Sequence, residues 1–130
     1  MMLAKAEVSS ATGYAQDIAM GHHAMQADEP QRLGGADSGP APYQILLASL
    51  GACTSITLRM YAERKGWELG TVRVGLTLAR DEAGAETIAR EISVSAPLTD
   101  EQRERLLEIA GKTPVTKMLL KGVAIDSHFA

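Results

Sequence analysis

A long run without a single charged residue, from Ser38 to Leu58, constrains the fold of this chain more than any other feature. Pro42 suits the first turn of a helix, where the backbone N–H groups are unpaired anyway. Gly66 is a typical helix stop. We therefore predict one long helix from Pro42 to about Lys65, apolar around most of its circumference and central to the fold. The prolines and polar residues of the run argue against a membrane span.

The segments before this helix have weaker patterns. Residues 3–28 alternate weakly between apolar and polar positions on either side of Thr12-Gly13, which predicts a β-hairpin. The stretch from Asp28 to Pro42, DEPQRLGGADSGPAP, holds three Gly and three Pro in fifteen residues and predicts a loop.

Beyond the helix, two alternating segments predict an antiparallel hairpin joined by a turn at residues 81–84. Thr99 and Gln102 form a capping-box pattern for a helix to Ala110, and Thr113-Pro114 opens a short helix to about Lys121. Val123, Ile125 and Phe129 predict a last strand. The sequence thus predicts a single α+β domain over residues 1–130, with antiparallel sheets around a long central buried helix. The apolar positions of the hairpin are Val72, Val74, Leu76, Leu78, Ile88, Ile92, Val94 and Ala96.

Composition excludes several classes of protein. The 130 residues are 45% hydrophobic and 22% charged, as in ordinary globular domains. A net charge of −3 is far from the basic footprint that nucleic-acid binding needs, so we expect neither a nucleic-acid nor a membrane partner. One cysteine makes no internal disulfide, and Glu7 interrupts the apolar run that a secretory peptide would need. We expect a cytoplasmic protein.

Cys53, the single thiol, lies in the middle of the predicted helix among small residues. Such a cysteine is either a buried small hydrophobe or, with access and a nearby cation, a reactive nucleophile. No cation on its own helix lies close to it. Arg90 is the best candidate for an activating cation, because it falls on the same strand face as Ile88 and Ile92. The alternative is that Arg90 protects a sheet edge from pairing.

The sequence predicts neither a metal site nor a cofactor site. His22 and His23 point to opposite sides of a regular strand, and His128 has no spaced partner. The loop glycines lack the GxGxxG spacing of a dinucleotide-binding turn.

The stretch from Asp28 to Leu69, with GPAPYQILLASLGACT at its centre, resembles the OsmC/Ohr family of osmotically induced and organic-hydroperoxide-resistance proteins. The segment PLTDEQRERLLEIAGKTPV, residues 97–115, occupies the matching place further along. The resemblance implies an intertwined α+β homodimer with active sites at the subunit interface. It also implies a thiol peroxidase in which a first cysteine attacks an organic hydroperoxide and a second resolves the sulfenic acid. Cys53 matches the first cysteine.

The chain departs from the family pattern at several functional positions. Thr113 stands where the family has its second cysteine, so the two-cysteine cycle is impossible. Tyr43 and Gln44 stand where a glutamate orients an arginine against the thiolate, and Thr116 replaces a histidine. The resemblance implies that His23 is retained.

Two functions remain open at this point. One is a one-cysteine thiol peroxidase that acts on a small hydrophobic hydroperoxide and is restored by an external thiol. The other is a non-catalytic protein that holds a small apolar molecule at the dimer interface. A third alternative is a purely structural dimer whose interface cavity is filled by its own side chains.

Overall fold

The computed structural model describes residues 1–130, which form two compact units, residues 1–46 and residues 47–130. The first unit holds an antiparallel sheet in the order β1 (Glu7–Ser9), β2 (Gln16–Met20) and β3 (His23–Ala27). Ile18 lies opposite Val8 on one side and Met25 on the other. The predicted hairpin is therefore a three-stranded meander. Its turns use Gly13 at φ +70° and Gly21 at φ +62°, a conformation that glycine adopts without a steric penalty.

The loop after β3 is organised by one carboxylate. Asp28 is 2% exposed and accepts hydrogen bonds from the backbone N–H groups of Glu29, Ala36 and Ser38 and from the Ser38 hydroxyl, at 2.7–3.2 Å. The hydrogen bond from the Ser38 N–H contributes most to lowering the pKa of Asp28 below its ordinary value, and the hydrogen bonds from the other three donors lower it as well. A side chain at Gly35 would collide with the Glu29 carbonyl oxygen. The predicted loop is thus ordered, and it contains a 3₁₀ helix at Gln31–Leu33.

Helix α1 (Pro42–Lys65) confirms the predicted long helix, with Pro42 as its first residue and Gly66 after its end at φ +70°. Its buried residues lie on one face, and Ile56 and Met60 on the opposite face are 59% and 56% exposed. The expected burial around most of the circumference is therefore not reached within one chain. The buried residues are Leu50, Gly51, Thr54, Leu58 and Ala62.

Helix α1 is also the one helix long and apolar enough to cross a membrane, by length and composition only. An 18-residue window of it has a mean hydropathy of 1.4, despite the polar residues that argued against a span. The core helix of a soluble protein passes the same test.

In the second unit, β4 (Val72–Arg80) and β5 (Glu86–Val94) form the predicted hairpin, with Leu76 opposite Arg90. Helix α2 (Asp100–Ala110) begins with the predicted capping box of Thr99 and Gln102. Helix α3 (Pro114–Lys121) begins with Thr113 as its N-cap. The core of this unit is a cluster of α1 and α2 residues with Leu69: Leu58, Ala62, Leu69, Leu106 and Ala110.

The predicted last strand is wrong for the chain as described. Residues 122–130 form no strand, and Val123, Ile125 and Phe129 are 65%, 86% and 103% exposed. Alternating apolar residues form a strand only when a neighbouring strand supplies hydrogen bonds, and no strand of this chain lies beside them. The α+β class itself is confirmed, with three α-helices and two small antiparallel sheets.

Candidate functional site

Cys53 lies in the middle of α1 as a free, half-buried cysteine. Its thiol takes part in no hydrogen bond, whereas its neighbour Thr54 is fully buried. Successive helical residues are rotated by about 100°, so Cys53 lies between the buried face and the exposed apolar face that carries Ile56 and Met60. The Cys53 side chain is therefore partly exposed and has no hydrogen-bond partner.

Arg90 on β5 is the centre of a polar network in the second unit. Its Nη1 donates to Thr54 Oγ1 at 2.9 Å and to Thr116 Oγ1 at 2.8 Å, and its Nη2 donates to the Ala110 carbonyl oxygen at 3.0 Å. Arg90 forms no ion pair with a carboxylate. Its positive charge thus lies among neutral acceptors on the three helices: Thr54 on α1, Ala110 at the end of α2 and Thr116 on α3.

The two threonines at the start of α3 complete the network. Thr113 is fully buried, and its Oγ1 lies 2.6 Å from Thr116 Oγ1. Thr113 also caps α3 by accepting from the Thr116 N–H, as the Thr-Pro pair predicts. The structure therefore brings Arg90, Thr113 and Thr116 together, as candidate positions that the sequence placed far apart. It links them to Thr54, the residue after Cys53, and no hydrogen bond joins Arg90 to Cys53 itself.

The other candidate residues belong to the first unit. Gln44 caps its own helix, because its Oε1 accepts from the Ala41 N–H at 2.9 Å. Tyr43 is 59% exposed in the first turn of α1. His23 begins β3, is exposed, and its ring lies 4.1 Å from that of His22. No group of three or more His, Cys, Asp or Glu side chains is placed to hold a metal ion.

Thr54 is the member of the site that sequence reasoning missed. Its hydroxyl donates a hydrogen bond to the Leu50 carbonyl at 2.7 Å and accepts one from Arg90, so it acts as both donor and acceptor. A signal was present: Thr54 lies four residues from both Leu50 and Leu58 and shares their buried face. A polar residue on such a face needs a partner, and an arginine on an inward strand face supplies one.

Residues 35–128 match the family model of OsmC, the OsmC-like proteins. Among curated proteins, none matches this chain.

Solved structures of OsmC-related proteins have the same fold. An OsmC-like protein from Mycoplasma pneumoniae is 16% identical at a TM-score of 0.74, with 92% of this chain and 88% of that chain covered. The organic hydroperoxide resistance protein OsmC from Legionella pneumophila is 18% identical at a TM-score of 0.67, covering 92% and 90%. The organic hydroperoxide resistance protein OhrB of Bacillus subtilis is 23% identical at a TM-score of 0.61, covering 89% of each chain. With the family match over most of its length, this chain belongs to the OsmC-like protein family.

Proposed function

We propose that this OsmC-like protein is a one-cysteine thiol peroxidase, in which Cys53 reduces organic hydroperoxides and an external thiol restores it. Membership of the family supports a redox or stress-response role at the coarser level. One observation carries the peroxidase proposal: the thiol of Cys53 is half-buried and has no hydrogen-bond partner. The next residue, Thr54, accepts a hydrogen bond from Arg90, whose charge no carboxylate neutralises. The thiolate is the nucleophilic form of a cysteine, so the proposal depends on an accessible thiol that no other group of the chain holds.

The reaction has three balanced steps. The Cys53 thiolate attacks one peroxide oxygen, so that an S–O bond forms, the O–O bond breaks and the alkoxide leaves as the alcohol after taking a proton. The sulfur becomes a sulfenic acid. A first external thiol then displaces water and forms a mixed disulfide, and a second thiol releases Cys53 and carries away the disulfide. One hydroperoxide and two thiols give one alcohol, one water and one disulfide.

An external reductant is required because the chain has one cysteine. Thr113, at the position where related proteins are expected to carry a resolving cysteine, keeps the capping function of that position without its redox function. The cycle therefore runs without an internal disulfide.

We also propose that the protein works as a homodimer in the cytoplasm. The face of α1 with Ile56 and Met60 is apolar and exposed in one chain, and a second copy would cover it. Cys53 borders this face, so the reacting sulfur would lie at the interface. A free thiol is typical of a reducing compartment.

A second candidate function is favoured by the same exposed face. A small hydrophobic molecule bound between two copies of α1 would need no reaction at Cys53, and the protein would then be a binding protein.

Consumption of cumene hydroperoxide with dithiothreitol as the reductant distinguishes the two functions. We expect catalytic turnover by the protein as purified, none by Cys53→Ser, and unchanged turnover by Ser49→Ala, a matched change one turn earlier on α1. A dimedone adduct on Cys53, detected by mass spectrometry, would identify the sulfenic acid. Equal rates for the protein and Cys53→Ser would overturn the peroxidase and leave the binding function.

A further inference from the structure

The guanidinium of Arg90 has more donors than the network uses. Arginine carries five N–H donors in a fixed plane. Thr54 and Thr116 use both donors of Nη1, and the Ala110 carbonyl uses one donor of Nη2. The Nε–H and the second Nη2–H therefore have no partner in the chain.

These two donors lie along one edge of the guanidinium. Thr116 Oγ1 is 3.3 Å from the Ala110 oxygen, and Nη1 and Nη2 contact this pair of neighbouring acceptors. The end of the guanidinium thus faces the network, and the side formed by Nε and Nη2 faces away from it. No buried side-chain nitrogen or oxygen lacks a hydrogen-bond partner, so the unpaired Nε is accessible to solvent.

Arg90 lines a cleft of about 380 Å³, within the usual size range of small-molecule sites. Four of the eight residues that line it have aliphatic side chains: Leu50, Ile88, Leu119 and Leu120. Glu86 is the one carboxylate at the cleft, and it is already paired with Arg80 at 2.6 Å. The cleft therefore presents apolar walls and one positive charge without a counter-ion.

We propose that this cleft binds an aliphatic monocarboxylate, with its carboxylate on the Nε and Nη2 edge of Arg90 and its chain against the leucine and isoleucine side chains. Two parallel N–H donors match the two oxygens of a carboxylate, and such paired, charge-assisted bonds are stronger than neutral ones. The inference goes beyond the proposed peroxidase function. It uses the same arginine through a different edge of its guanidinium, and Cys53 is not among the residues that line the cleft.

The charges at the cleft favour a monoanion over a dianion. One guanidinium balances one negative charge, and the residues that line the cleft include no second cation for a second charge on the ligand. A phosphate monoester is therefore the poorer fit.

Isothermal titration of the protein as purified with octanoate tests the proposal. We expect saturable binding of octanoate, and binding at least about tenfold weaker for 1-octanol, which has the chain without the charge. Octyl phosphate is expected to bind more weakly than octanoate. No saturable binding of octanoate, equal binding of octanol, or tighter binding of octyl phosphate would each overturn the proposal.

Variants locate the site. Arg90→Gln should weaken octanoate binding about tenfold or more. Arg90→Lys keeps the charge but loses the two parallel N–H donors, so its affinity for octanoate should lie between those of the parent and Arg90→Gln. Arg73→Gln removes an equal charge from β4 outside the cleft and should bind octanoate as the parent does, and so should Cys53→Ser.

A variant of the cleft wall gives an independent test, since Arg90→Gln also removes contacts to Thr54 and Thr116. Leu119→Glu places a negative charge on the wall, which should repel the carboxylate ligand. Undiminished binding by folded Leu119→Glu would contradict the placement in this cleft.

Discussion

Arg90 and Thr54 are joined by a hydrogen bond of 2.9 Å in which the direction of every proton is fixed. The Thr54 hydroxyl donates its proton to the Leu50 carbonyl at 2.7 Å, so its oxygen is free to accept from the guanidinium. Strand β5 is thereby tied to the turn of α1 that carries Cys53. A fully buried hydroxyl in this position cannot be exchanged for a methyl group without leaving an arginine donor unpaired.

Thr54→Val should lower the free energy of unfolding by about 1–3 kcal/mol, because one donor of Arg90 loses its acceptor. Urea denaturation measures the change. Thr57→Val makes the same substitution on the same helix, at a half-buried threonine that makes no side-chain hydrogen bond, and should change stability much less. Equal losses in the two variants would show that the Arg90 contact contributes nothing.

Thr113→Cys should form a disulfide with Cys53 under mild oxidation, if the position keeps the geometry of a resolving cysteine. A disulfide requires Cα atoms about 4.4–6.8 Å apart, and loss of the cap costs about 1 kcal/mol. Mass spectrometry with a count of free thiols gives the readout. Lys112→Cys, an exposed position one residue earlier, should leave both thiols free. A folded Thr113→Cys variant that stays fully reduced would remove the position from the site.

If the protein is the homodimer proposed above, Ile56→Glu should reduce it to a 13.8 kDa monomer, because a carboxylate on the exposed face of α1 would be buried at the interface without a partner. Light scattering at micromolar concentration measures the mass. Leu107→Glu places the same charge at an exposed leucine of α2, 67% exposed, and should keep the parent's mass. A parent protein of 13.8 kDa would contradict the homodimer.

Asp28→Asn should make the free energy of unfolding less dependent on pH in the acid range. The folded-state pKa of Asp28 lies below its ordinary value, chiefly because of the Ser38 N–H. The stabilisation is therefore complete above the unfolded pKa, about 3.9, and is lost as the pH falls through the lower folded value. Thermal melts at neutral and acid pH should show a lower Tm for the variant at pH 7 and a difference that shrinks in acid. Asp37→Asn, in the same loop at φ +55°, should show no such convergence.

Sequence reasoning worked best where local chemistry decides the structure. Pro42 and Gly66 define α1, and Thr99 with Gln102 defines the start of α2, because caps and stops act within one helical turn. The alternation of apolar and polar residues in β4 and β5 is also a local pattern, and it correctly predicted that Arg90 lies on the same strand face as Ile88 and Ile92.

The remaining features depend on contacts between distant segments. Val123, Ile125 and Phe129 alternate like a strand, but pairing needs a neighbour that their own sequence does not specify. Thr54 was missed because its partner lies thirty-six residues away on another element. Four donors converge on Asp28 for the same reason: the loop closes on itself over ten residues, beyond the reach of a turn pattern.

The homodimer proposed on the exposed apolar face of α1 would make the melting temperature of this protein depend on its concentration. If a second copy covers Ile56 and Met60, dissociation accompanies unfolding, and mass action raises the apparent stability as protein is added. A dilute sample would then unfold at a lower temperature than a concentrated one. Comparisons among variants must accordingly be made at one protein concentration, and the cell's own level of the protein would help to set how much of it is folded.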